Sequence, residues 1–142
     1  MRVVLDTNVI VAALRSPTGA AAKVVRLVLT GELSAAATTA LLLEYEAVST
    51  RPEHLLAARL SAAEALVVID ALAIRMDTTP IRWLLRPSSP DPGDDFVIEA
   101  AVNARADTLV SANIRDLAVP LAAFGIRTIS PGVLLSELRS PP

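Results

Sequence analysis

Four acidic residues and one amide stand where an enzyme could use them. Asp6 directly follows a short β-branched run, Arg2 to Leu5, that reads as a buried strand. Asp94 and Asp95 open a helical segment that leads into a further strand from Thr108 to Ser111, and Asn113 sits just past its end. Glu44 lies inside a helical segment, with Ala40, Leu41 and Val48 at i−4, i−3 and i+4. That spacing puts its carboxylate on a mainly apolar, inward face, whereas Glu46 has the more mixed neighbours Leu42, Leu43, Ser49 and Thr50. A carboxylate turned inward is costly unless something compensates it, and a divalent cation shared with Asp6 and Asp94 would do so. Oxygen donors of this kind suit Mg²⁺ or Mn²⁺. Carboxylates holding one or two such ions can activate a water and neutralise a phosphodiester in the transition state. Without a metal, gathered carboxylates repel one another, so at least one pKa is expected to be raised.

Each residue also has a structural role open to it. Asp6 and Asp94 are good helix N-caps by type and position, Asp95 is a first-turn acid favoured by the helix dipole, and Asn113 is a common turn residue. His54 follows Arg51-Pro52-Glu53 in a polar stretch and reads as a surface residue, and Trp83 reads as packing.

The elements that must position these groups alternate. Helical segments are expected over 8–14, 20–30, 39–48, 54–60, 61–75, 94–105 and 132–138. Strands are expected over 2–5, 33–37, 108–111 and 126–129. Ser61 with Glu64 forms a capping-box pattern, Thr38 or Thr39 can cap the segment carrying Glu44, and Ser130-Pro131 pairs a cap with a first-turn proline. Residues 76–85 read as extended or irregular, and 86–93, with three prolines, as a loop. Short apolar strands alternating with helices make an α/β fold with a parallel sheet covered on both faces, and 142 residues fit one domain. In such sheets ligands bind beyond the carboxyl ends of the strands, where Asp6 and Asn113 fall.

Composition narrows the chemistry further. The chain has no Cys and a single His, which excludes disulfides, thiolate-bound metals, a thiol nucleophile and a two-histidine zinc motif. Aromatics are 3% and the net charge is −2, which argues against a base-stacking sheet and a broad basic footprint on duplex DNA. Asp6 interrupts what would be the core of a signal peptide. Mean hydropathy is high at +0.52, yet the longest uncharged run, Leu33 to Leu43, falls short of the roughly 18 residues of a membrane span. The expectation is a cytoplasmic protein with no membrane partner.

Three stretches, in order, resemble the PIN domain family. Val3-Val4-Leu5-Asp6-Thr7-Asn8-Val9-Ile10 is similar to its opening motif. Leu41-Leu42-Leu43-Glu44-Tyr45-Glu46-Ala47-Val48, followed by Arg51-Pro52, is similar to the second, with Glu44 before the aromatic as the acidic ligand. Asp91-Pro92-Gly93-Asp94-Asp95, followed by Ala106-Asp107-Thr108-Leu109-Val110-Ser111, is similar to the third, with Asp94 at the place of the principal Asp. A fourth motif departs from the pattern: Ser111-Ala112-Asn113 has Ser for Thr and Asn for Asp, and the lost charge favours one metal over two.

The resemblance runs to about Leu138 and is nearest the bacterial branch described as toxins of toxin–antitoxin pairs. It implies a three-layer α/β/α sandwich and an Mg²⁺- or Mn²⁺-dependent ribonuclease. It places Asp6, Glu44 and Asp94 as catalytic metal ligands, Asp95 as a further ligand, and Thr7, Asn8, Ser111 and Asn113 in support. It also implies an RNA substrate, a small antitoxin partner and a homodimer. Twelve of the 13 basic residues are Arg, which suits bidentate phosphate contacts. Arg15, Arg82, Arg86 and Arg115 are the candidates for them.

Two other classes compete. A phosphohydrolase with a nucleophilic Asp needs a second Asp two residues on, where Asn8 stands, and a later Lys, whereas the only Lys is Lys23. A non-catalytic module that engages a protein partner is compatible with Asn113 and the apolar excess.

Overall fold

The computed structural model describes residues 1–84 and 94–139. Its centre is β1 (Arg2–Leu5), a run of branched side chains whose Val3, Val4 and Leu5 are fully buried. Such a strand needs cover on both faces, and it occupies the middle of a five-stranded sheet. The sheet order is β3-β2-β1-β4-β5, with β2 at Ser34–Ala37, β3 at Asp77–Thr78, β4 at Thr108–Val110 and β5 at Arg127–Ile129. Every pairing is parallel; Val3 stands opposite both Ala35 and Thr108.

Eight helices connect the strands among the described residues. They are α1 (Thr7–Arg15), α2 (Ala20–Leu29), α3 (Thr39–Ser49), α4 (Pro52–Ala58), α5 (Ala62–Arg75), α6 (Asp95–Asn103), α7 (Ile114–Ala122) and α8 (Pro131–Arg139). Helices α1 to α5 and α8 pack on one another in one layer. Helices α6 and α7 pack together, α6 lies against β1 and β2, and α3 also reaches α6. This is the expected α/β/α sandwich. Small residues in β2 (Ala35, Ala36 and Ala37, all buried) let helices approach the sheet closely. No helix of the described residues is long and apolar enough to cross a membrane.

Local chemistry sets most boundaries where the residues place them. Thr38 caps α3 by accepting from Leu41 N at 3.2 Å. Ser61 and Glu64 exchange both bonds of the capping box at the start of α5. Arg51 is extended before Pro52, which opens α4. Ser130 Oγ accepts from Val133 N ahead of α8.

Two elements differ from expectation. Helix α7 contains Pro120, which removes one backbone donor, but the carbonyl four residues earlier belongs to the exposed Asp116, where water can take the bond. Strand β3 is only two residues long and exposed, so no alternation announces it; it pairs through its backbone with Ala36 and Ala37. The expected 86–93 loop lies outside the described residues.

Candidate functional site

The strand order reverses around β1, with β2 on one side and β4 on the other, and a crevice opens beyond their carboxyl ends at such a switch point. Asp6 occupies that position. Its backbone N–H still donates to Val110 O at 2.9 Å, and its carbonyl begins α1 by accepting from Val9 N. Asp6, Asp94 and Asn113 all stand at N-cap positions, of α1, α6 and α7, yet none of the three side chains makes a capping bond. Thr38 and Ser61, by contrast, do cap their helices.

The carboxylate of Asp6 is instead held from across the sheet. Ser111 Oγ, just past β4, donates to Asp6 Oδ2 at 2.6 Å. The same oxygen accepts from Asn113 N at 2.8 Å and from Asn8 Nδ2 at 3.3 Å, which uses its donor and both lone pairs. Asn8 Oδ1 in turn accepts from Ala112 N at 3.2 Å. Asn8, Ser111 and Asn113 thus form, with Asp6, a four-residue brace.

Glu44 arrives from α3. Thr7 Oγ1 donates to Glu44 Oε2 at 2.7 Å. The next residue, Tyr45, is fully buried, and its hydroxyl donates to Leu5 O. The residues on either side of Asp6 are therefore tied to two consecutive residues of α3. The inward face of α3 is Leu41, Tyr45 and Ser49, and Glu44 is half-buried on its flank. The expected inward placement of Glu44 is corrected by about one helical position, because Tyr45 takes the interior.

Asp6, Glu44 and Asp94 line one cavity of about 700 Å³. Thr7, Asn8 and Arg15 also line it, together with Arg51 and His54 from the start of α4. Acidic groups thus share the cavity with two arginines and the single histidine. His54, expected as a surface residue, thus lines the cavity, and so does Arg51, for which the Arg51-Pro52 pair between α3 and α4 is the only local signal. His54 Nδ1 is buried and has no hydrogen-bond partner among the described residues.

The other expected residues are dispersed. Asp95 is buried in the first turn of α6 and does not line the cavity. Arg115 is exposed at the start of α7 and is also not on its wall. Arg82 lines a different cavity with Arg2 and Asn103. Arg86 lies outside the described residues.

Burial raises the Asp6 pKa, and the bonds from Ser111 and the Thr7 backbone partly offset it. The raised pKa was expected, but desolvation rather than carboxylate repulsion is its main cause. Tyr45 is pushed well above the ordinary phenol range by burial, then by the charges of Asp6 and Glu44, so its hydroxyl stays a donor.

Among the described residues, no three Asp, Glu, His or Cys side chains stand at the spacing of a closed metal-ligand set. Three carboxylates nonetheless outnumber the one imidazole on the cavity wall. Mg²⁺ keeps several waters and usually takes only one or two carboxylates, so this donor set fits such a cation better than it would fit zinc.

A family model for the PIN domain matches residues 2–115. The chain belongs to the PIN domain family. The matched span contains Asp6, Glu44, Asp94, Ser111 and Asn113, and PIN domains are generally nucleases. The fold extends beyond the span. The crystal structure of VapBC2 from Rickettsia felis bound to a DNA fragment from their promoter contains a similar chain, with a TM-score of 0.58 and 16% identity. The likeness covers 92% of this PIN domain and 98% of that chain. No curated protein matches the sequence.

Proposed function

We propose that this PIN domain is an Mg²⁺- or Mn²⁺-dependent endoribonuclease and the toxin of a toxin–antitoxin pair. One observation carries the reading: three carboxylates from segments remote in sequence, Asp6, Glu44 and Asp94, line one cavity at the carboxyl edge of the sheet. Two of them, Asp6 and Asp94, stand at helix N-caps without capping.

Asp6, Glu44 and Asp94 would hold the cation, with Asp95 behind them. The bound cation supplies charge neutralisation for the phosphodiester and a more acidic water. The chain's own groups do the positioning. Ser111 fixes the Asp6 carboxylate and is itself held by Asn8, Thr7 fixes Glu44, and Asn113 closes the brace through its backbone. Arg15 and Arg51 on the same wall would take the flanking phosphates. Arg82 and Arg115 do not line that cavity and are not assigned to it.

The partner is a small antitoxin that covers this cavity; the similar chain in a VapBC2 structure on promoter DNA supports it. A cytoplasmic homodimer completes the reading. The alternative, a PIN-fold module that engages a protein without cutting RNA, is favoured by the lack of a closed three-acid set among the described residues.

RNA cleavage under metal titration separates the two. Metal-dependent cleavage lost in both Asp6→Asn and Asp94→Asn supports the nuclease. A folded wild-type protein that binds neither Mg²⁺ nor Mn²⁺ and leaves RNA intact supports the module.

A further inference from the structure

The edge of the sheet opposite Asp6 carries a second concavity. All five strands are parallel, so their amino ends share one edge, where Arg2, Arg105 and Ile126 adjoin β1, β4 and β5. A cavity of about 490 Å³ lies there between Trp83 and Phe124, floored by Val102, Ala106 and Ile126 and bordered by Arg105. A second cavity of about 470 Å³ shares Trp83 and Arg105 and adds Arg82. Each volume lies within the roughly 300–1,000 Å³ usual for small-molecule sites.

The two lobes differ in chemistry. The first has two aromatic rings, each about half exposed (Trp83 49%, Phe124 50%), in a chain with few aromatics. The second is cationic. Arg2 is committed to Asp77 and Thr79, whereas the guanidinium groups of Arg82 and Arg105 form no ion pair or hydrogen bond among the described residues. Among the described residues, no acidic side chain lines either lobe. The aromatic wall is held in place, because Asn103 Oδ1 accepts from Arg82 N and Trp83 N while its Nδ2 donates to Trp83 O. Arg105 projects from a left-handed backbone (φ 52°), a conformation that a non-glycine residue adopts at a cost.

We infer that this paired cavity binds a nucleoside monophosphate, its base against Trp83 and Phe124 and its phosphate on Arg105 and Arg82. Flat rings stack on aromatic side chains, and arginine forks match phosphate oxygens. The site is separate from the carboxylate cavity and does not depend on nuclease activity.

Trp83 is the only tryptophan, so its fluorescence reports on the site directly. The full chain carrying Asp6→Asn is titrated without metal with 5′-AMP, adenosine, inorganic phosphate and hexa-adenylate RNA. The expected result is a saturable change with 5′-AMP, at least tenfold weaker with adenosine or phosphate alone. Arg105→Gly and Arg82→Ala should each weaken 5′-AMP binding at least fivefold. Glycine accepts the backbone of position 105, so Arg105→Gly removes the guanidinium without adding strain. No saturable change at millimolar 5′-AMP, an equal response in Arg105→Gly, or binding of hexa-adenylate without binding of 5′-AMP would overturn the proposal.

Discussion

Ser111 Oγ lies 2.6 Å from Asp6 Oδ2, and this hydrogen bond joins the carboxyl ends of β1 and β4. It is buried, it satisfies a carboxylate that burial disfavours, and it makes Ser111 the keystone of a four-residue brace.

Ser111→Ala should therefore cost more than an ordinary surface hydroxyl. Loss of a bond to a buried charged group costs about 1.5–3 kcal/mol. The measurement is urea denaturation at neutral pH. An unchanged midpoint would show that Asp6 finds another donor. The Asp6 pKa should rise further, because one of the bonds that lowers it is gone.

The pH dependence has a definite sign. The native Asp6 pKa lies above its unfolded value near 3.8, so the folded chain holds the proton more tightly. Its contribution to stability is full below about pH 3.8 and is lost as pH rises through the raised native value. Asp6→Asn keeps an oxygen for Ser111 and removes the charge. The variant should be more stable than wild type at neutral pH without metal, with the gap closing below the unfolded pKa. Denaturant melts across that range test it, and a variant less stable at neutral pH contradicts it.

Divalent metal should reverse that penalty. A cation that binds only the folded chain stabilises by about 2.7 kcal/mol at a hundred times its Kd. Millimolar Mg²⁺ or Mn²⁺ should raise the melting temperature of wild type, and Asp6→Asn and Asp94→Asn should lose most of the increase. A wild-type melt unmoved by either ion would sink the metal assignment.

Tyr45→Phe deletes a fully buried donor and leaves Leu5 O short of a partner. The expected cost is about 1–3 kcal/mol by chemical denaturation. Because Glu44 is the adjacent residue, RNA cleavage should also fall, with kcat affected more than KM.

Asn103→Ala removes three bonds that hold Arg82 and Trp83. The expected results are a red-shifted Trp83 emission and faster proteolysis near residues 80–84, with little effect on cleavage at the carboxylate cavity. Unaltered emission would mean that packing alone holds the ring.

Much of this architecture was legible in the residues. β1 showed itself as a branched apolar run ending in an acid, and α5 by its capping box and its last turn at Arg75. Asp6, Glu44 and Asp94 could be nominated because acids at strand ends and helix starts share an edge in a parallel sheet. The rest depended on contacts that no local pattern encodes. β3 is held by backbone pairing with β2 and by the Arg2–Asp77 ion pair, and α7 persists because the carbonyl its proline leaves unbonded belongs to the exposed Asp116. The inward side of α3 was misjudged by one position because Tyr45 is large and amphipathic, and its burial required a carbonyl 40 residues away. Arg82 looked close to the site in sequence, yet Asn103 draws its backbone to the far edge of the sheet.

The double tie from Leu5 and Thr7 to α3 has a mechanical consequence. Thr7 holds Glu44 and Tyr45 holds Leu5, so the wall that carries two of the three carboxylates behaves as one block. Beside that block α4, a short helix with no buried residue that packs on α1 and α3, begins after Arg51, carries His54 and ends at Arg59 in a left-handed turn. The two acids therefore keep their spacing however that short helix moves.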